Sequence, residues 1–224
     1  MSARRPVPAA LIDYPAADGE PMAETDVHRD LVLVLIFALT NFFRTKPDVY
    51  VSGNLFIYYL QGNPKKRVAP DVFVVRGVGK QRRRMYKLWE EGRPPDLVIE
   101  LSSRQTWRED FDVKLPLYEQ LGVKECFFFD PEYDYLPSPL VGYRLEGYEY
   151  VASKVVNGRV RSQVLKLDLV DTGETLRFFD PRTKRFLPTP EEAAQTAQAE
   201  VEARRRAEAE VARLRRELER LRGK

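Results

Sequence analysis

"APDVFVVRG" at residues 69–77 and "PPDLVIELSS" at residues 94–103 follow one plan, Pro-Asp and then a short apolar run. The second run carries Glu100 in its middle. Side chains alternate along a strand, so Asp96, Val98 and Glu100 share one face of 96–101, while Leu97, Ile99 and Leu101 share the other. Asp96 and Glu100 then stand about 13 Å apart, too far to bind one ion. Asp96 reads as the residue that opens a strand after Pro95. Glu100 has no such reading, because a carboxylate among Val, Ile and Leu is costly unless a cation or metal offsets it. Asp71, heading a neighbouring strand, is the partner the pattern offers. Two carboxylates and a backbone carbonyl make a hard-oxygen site of the kind that holds Mg²⁺ or Mn²⁺.

The flanking sequence builds layers around these strands. Residues 26–44 read as a buried helix that Asp26 can cap. Strands follow at 48–51, 54–60 and 71–75, punctuated by Gly53, Gly62-Asn63-Pro64 and Pro70. "RRRMYKLWEEG" is a basic-aromatic connector. A strand at 96–101, a mostly helical 107–121 and a strand in "ECFFFDP" (125–131) complete an α/β pattern. Beyond 143 the signal is short antiparallel strands, with Asn157-Gly158 as a hairpin turn. Residues 1–25 read as irregular. Residues 191–222 lack Gly and Pro, and Ala207, Val211, Leu214, Leu218 and Leu221 follow four-three spacing, a coiled-coil seam that fails further back at Arg204 and Glu200. A single solvated helix is the alternative. The expected domains are 1–190 and the helical 191–224.

Composition excludes several classes. The chain has 224 residues, 43% of them hydrophobic, with one cysteine and one histidine. A disulfide framework and a Cys/His zinc site are both ruled out. The apolar run at 31–39 is less than half the roughly 20 residues that span a bilayer, so a soluble, cytoplasmic protein without membrane contact is expected. Between 64 and 87 nine Lys or Arg face one acid, Asp71. Lys65, Lys66, Arg67, Lys80, Arg82, Arg83, Arg84 and Lys87 are therefore candidates for a phosphate backbone, with a solvated loop as the other reading. Tyr86 and Trp89 could stack on bases or cover the core edge. Cys126 reads as a small core residue.

An Asp after Pro, a Glu on the next core strand and a Lys nearby resemble the PD-(D/E)XK nuclease superfamily. The wording is closer still to its Uma-type branch of restriction-endonuclease-like proteins. The matching stretches are "DGEPMAETDVHRD", "DVYVSGNLFIYY", "GNPKKRVAPDVFVV", "YKLWEEG", "PPDLVIELSSRQTWRED", "KLPLYEQLGV" and "ECFFFDP", spread over roughly residues 18–190. The resemblance implies an α/β fold, a mixed β-sheet flanked by helices, here with C-terminal antiparallel hairpins and a terminal coiled-coil helix. It also implies a divalent metal and hydrolysis of DNA phosphodiester bonds, with Asp71 and Glu100 as metal ligands.

One position departs from the superfamily pattern. Its lysine lies two residues after the Glu, where this chain has Ser102. Lys114, on the following helical segment, is the candidate for the displaced charge. It could instead pair with Asp110 four residues earlier, although Pro116 argues for a helix starting near Asp112 and a weaker pairing. His28 could carry a proton near the metal or cap its helix. His28 and Ser102 are thus auxiliary candidates. The leading function is a Mg²⁺- or Mn²⁺-dependent endonuclease, with a homodimer expected through the domain and the C-terminal helix. The alternatives are a catalytically silent DNA-binding module and a coiled-coil adaptor of a mobile element or defence system.

Overall fold

Thr25, not Asp26, caps the first helix. Its backbone is extended and its Oγ1 accepts the His28 N–H at 3.2 Å, while Asp26 sits inside the first turn, where negative charge favours the helix dipole. The structure, a computed structural model, describes residues 12–16 and 25–222, so the irregular reading of 1–25 falls mostly outside them. The chain divides into two compact units between Leu187 and Pro188.

In the first unit, α1 (Asp26–Phe42) precedes β1 (Val49–Ser52), β2 (Ile57–Tyr58), β3 (Arg67–Val68), β4 (Val72–Arg76) and β5 (Tyr86–Lys87). Then come α2 (Leu88–Glu91), β6 (Leu97–Leu101), α3 (Trp107–Glu109), a π-helical turn (Asp110–Lys114) and α4 (Leu115–Leu121). The strands β7 (Glu125–Phe129), β8 (Leu140–Glu146), β9 (Glu149–Ala152), β10 (Arg159–Arg161), β11 (Asp168–Asp171), β12 (Leu176–Asp180) and β13 (Arg185–Phe186) complete it. The strand expected over 54–60 shrinks to Ile57–Tyr58. Asn54 lies in the left-handed region (φ 48°) and its N–H goes to the Pro70 carbonyl, so the chain before Ile57 is a tight connection.

The central sheet has six strands in the order β1-β4-β6-β7-β8-β9. Only β6 and β7 run parallel, which makes the sheet mixed. Alternation sorts its side chains as the sequence predicts. Leu97, Ile99, Leu101, Phe127 and Phe129 face a core shared with α1 and with the antiparallel sheet β10-β11-β12-β13. Val98, Cys126 and Phe128 face a second core with Tyr86, Tyr118 and the small sheet β3-β2-β5. Tyr86 is therefore a core residue, and its hydroxyl is bound to the Arg93 carbonyl at 2.9 Å. The Asn157-Gly158 hairpin is present, with both residues at positive φ (51° and 68°) between bridged Val156 and Arg159.

The second unit is α5 (Pro190–Arg222), 33 residues with none buried. Thr189 and Glu192 bond each other's backbone N–H reciprocally (3.2 and 3.0 Å), a capping box that starts the helix. No helix among the described residues is long and apolar enough to cross a membrane.

Candidate active site

The pairing of β4 with β6 sets Val72 against Ile99. One step along the same register, Asp71 stands opposite Glu100. The two carboxylates singled out in the sequence are thus neighbours across two adjacent core strands. Gly53 helps to hold Asp71 there. A Cβ on Gly53 would come within 1.9 Å of the Asp71 carbonyl oxygen, so only glycine lets the β1–β2 connection press this closely.

Asp71 is aimed by two contacts. Its Oδ2 accepts the Leu101 N–H at 2.7 Å, and its Oδ1 lies 3.2 Å from His28 Nε2. His28 is nearly buried, and its ring meets the carboxylate while its backbone N–H is the group that joins the helix cap.

Glu100 is fully buried. Its Oε2 receives Lys114 Nζ at 3.0 Å, and its Oε1 receives the Tyr118 hydroxyl. Lys114 also lies 2.9 Å from Asp110 Oδ1, and Ser102 Oγ donates to Asp110 Oδ2 at 3.0 Å. The two readings of Lys114 therefore do not exclude each other, since one ammonium serves both Asp110 and Glu100. In place of the helix start expected near Asp112 there is a π-turn. Proline has no N–H to donate, and the Leu115 N–H instead reaches back five residues to the Asp110 carbonyl. The helical segment thus runs on from Trp107, and the widened turn holds Asp110 and Lys114 where both meet the site.

The electrostatics follow from burial. Desolvation, reinforced by Asp71 and Asp110, pushes the Glu100 carboxyl up to about 8 against the opposing pull of Lys114. Desolvation also raises Asp110, and that of Tyr118 lies well above the usual tyrosine range for the same reason. Burial works against the charge on Lys114, but Glu100, Asp110 and Asp71 outweigh it and raise its pKa. Asp110 Oδ1 is buried without a well-directed hydrogen bond, so the cluster is short of positive charge.

A cleft of about 420 Å³ opens onto this cluster, lined by Thr25, His28, Asp71, Lys114, Arg104, Glu132 and Tyr135 among others. Ser103 and Thr106 close the turn that presents Arg104. Buried Asp130 accepts four backbone N–H groups, from Glu132, Tyr133, Tyr135 and Leu136, and so fixes the loop carrying Glu132 and Tyr135.

The basic candidates divide. Arg83 is nearly buried, doubly bonded to Glu91 and stacked on Tyr50. Lys80 binds the Phe43 carbonyl at the end of α1, Lys87 pairs with Glu90, and Arg67 lies over Phe56. Lys65, Lys66, Arg82 and Arg84 are exposed. Tyr118 and Arg104 were not singled out from the sequence, and Asp110 entered there only as a helix partner of Lys114. Asp110 and Tyr118 follow Glu100 on the helical segment, and their only signal was position.

No curated protein matches the chain. A solved structure described as a "putative nuclease belonging to DUF820 from Anabaena variabilis ATCC 29413" is similar over 67% of this chain and 81% of its own, with 13% identity and a TM-score of 0.47. The model of the Uma2 family, described as "Putative restriction endonuclease", matches residues 8–170. That span is more than half of the sequence and holds Asp71, Glu100 and Lys114, and so the chain belongs to the Uma2 family.

Proposed function

We propose that the chain is a divalent-metal-dependent endonuclease of DNA, with Asp71 and Glu100 as metal ligands and Lys114 as the cation at the scissile phosphate. One observation carries this reading. Two buried carboxylates, Glu100 and Asp110, share the single ammonium of Lys114, and a third, Asp71, stands opposite Glu100 beside an open cleft. With all three ionised, the cluster holds a buried excess of negative charge, which is met either by protons or by a bound cation.

The donors are hard oxygens, which suit Mg²⁺ or Mn²⁺. Among the described residues no three His, Cys, Asp or Glu side chains converge as a ready metal group. A cation held by Asp71 and Glu100 would complete its shell with backbone oxygen and water. When bound, such an ion lowers the pKa of water and stabilises charge on a phosphate.

The protein's own residues act around it. The Leu101 N–H and His28 orient Asp71 toward the cleft. Tyr118 keeps its proton and holds Glu100 in place. Lys114 stays charged, and its long stem lets the ammonium shift from the carboxylates to an anionic oxygen in the cleft. Arg104 at the mouth, together with exposed Lys65, Lys66, Arg82 and Arg84, offers charge to the phosphate backbone. A cut through both strands is served by a second copy of the chain.

The silent DNA-binding module is favoured by one feature, Ser102, whose hydroxyl is spent on Asp110 where the superfamily places a cation. Nicking of supercoiled plasmid in Mn²⁺ separates the two. Wild type is expected to cleave, and Lys114→Ala to lose about 10²–10³-fold in rate while still binding DNA. DNA binding by wild type without cleavage in either Mg²⁺ or Mn²⁺ would overturn the nuclease reading.

A further inference from the structure

We infer that α5 joins two copies of this chain as a parallel, in-register coiled coil. The inference stands apart from the nuclease reading. Val211, Leu214, Leu218 and Leu221 are 47%, 47%, 53% and 68% exposed on a helix that buries none of its residues. With Ala207 they repeat four and three residues apart. Val211 and Leu218 then occupy a positions, and Ala207, Leu214 and Leu221 occupy d positions. β-branched valine at a with leucine at d favours two strands.

The charges commit the helix to one partner and one direction. Glu210 and Glu217 directly precede the a positions, at g. Arg215 and Arg222 directly follow d positions, at e. In a parallel pair each g residue faces the e residue five positions further along the other helix. Glu210 then meets Arg215 of the second copy, and Glu217 meets Arg222, each twice by symmetry. An antiparallel pair would set Glu against Glu and Arg against Arg. Arg215, Glu217 and Arg222 form no ion pair with another described residue of the helix, whereas Arg204, Arg206 and Arg213 do. Three of the four charges flanking the apolar seam are thus left for a second copy, and the fourth, Glu210, exchanges its exposed pair with Arg213 for one with Arg215 of the second copy.

The seam ends where Arg204 and Glu200 take the core positions. It covers about two heptads, or roughly 21 Å at 1.5 Å per residue, so the dimer exchanges with monomer. Parallel pairing leaves both Pro190 ends at the same end of the seam.

The test uses the full chain. Sedimentation is expected to show a monomer–dimer equilibrium. Oxidised Ala207→Cys is expected to form a covalent dimer, because identical d positions face each other at disulfide range in a parallel seam. The native Cys126 is fully buried and does not compete. Glu210→Arg with Glu217→Arg is expected to weaken the dimer at least about tenfold, as is Arg215→Glu with Arg222→Glu. Mixing the two double variants should restore association, which separates lost pairing from lost folding. A wild-type monomer at the highest soluble concentration would overturn the inference. So would a dimer indifferent to the charge reversals, or cross-linking only between Ala207→Cys and Leu221→Cys chains, the antiparallel outcome.

Discussion

The two ends of β6 both carry buried carboxylates, and they are treated in opposite ways. At the opening end, Asp96 accepts the Arg76 N–H at 2.6 Å and Lys124 Nζ at 2.6 Å. Beside it, at the head of parallel β7, Glu125 accepts Ser162 Oγ at 2.5 Å and the Gln163 N–H at 2.7 Å, with the Val164 N–H at 3.2 Å. Each of these acids is met by its own donors, and Glu125 staples the connection into β11 onto the main sheet. At the closing end, Glu100 neighbours two other carboxylates, Asp71 and Asp110, and shares the Lys114 ammonium with Asp110. The acids at the opening end each have their own donors, whereas Glu100 is crowded by other carboxylates, the arrangement that the proposed catalytic role calls for.

The sharpest way to break this contrast is to remove one glutamate from each end. Glu100→Gln keeps the shape of the protonated acid, so its stability at neutral pH should stay within about 1 kcal/mol of wild type while cleavage falls by about 10²-fold or more. Glu125→Ala orphans a hydroxyl and two N–H groups, and should cost about 2–4 kcal/mol in denaturant melts with cleavage per folded molecule retained. Reversed outcomes would mean the roles of the two ends have been misread.

The pH dependence of stability without metal sharpens the same contrast. Glu100 loses its proton near 4.5 when unfolded and near 8 when folded. Between those values the folded state binds more protons, so stability should fall as pH rises through that window and level off above it. Urea melts in a chelator should show this slope in wild type and lose it in Glu100→Gln. The smallest effect belongs to Lys124→Ala. The side chain is 59% exposed and Asp96 keeps the Arg76 N–H, so under about 1 kcal/mol should be lost, with cleavage unchanged.

Much of this was legible in the sequence because it rested on alternation. Glu100 stood out as a carboxylate among apolar neighbours, and Asp71 as the acid heading the adjoining strand. The mixed sheet and the Asn157-Gly158 hairpin follow from equally local signals. What stayed hidden depends on tertiary contact. Asp110 reads as a surface acid four residues before a lysine, and only packing against Glu100 and Ser102 makes it part of the site. Tyr118 reads as an ordinary apolar-face residue. The π-turn is invisible to periodicity, and Pro116 pointed to a helix start where the chain instead widens a turn. Arg83 counted as a free charge until the fold placed it between Glu91 and Tyr50. Gly53 looked like punctuation, and its reason is the backbone of Asp71 lying against it.

The central claim is that Asp71 and Glu100 hold one divalent cation that competes with a proton on Glu100. Titration calorimetry with Mn²⁺ tests it most directly, run on wild type, Asp71→Asn and Glu100→Gln at pH values on both sides of 8. The account predicts a single site lost in both variants, an affinity for wild type that rises with pH up to about 8, and proton release on binding below that value. Wild-type affinity in either variant, or an affinity independent of pH, would contradict it.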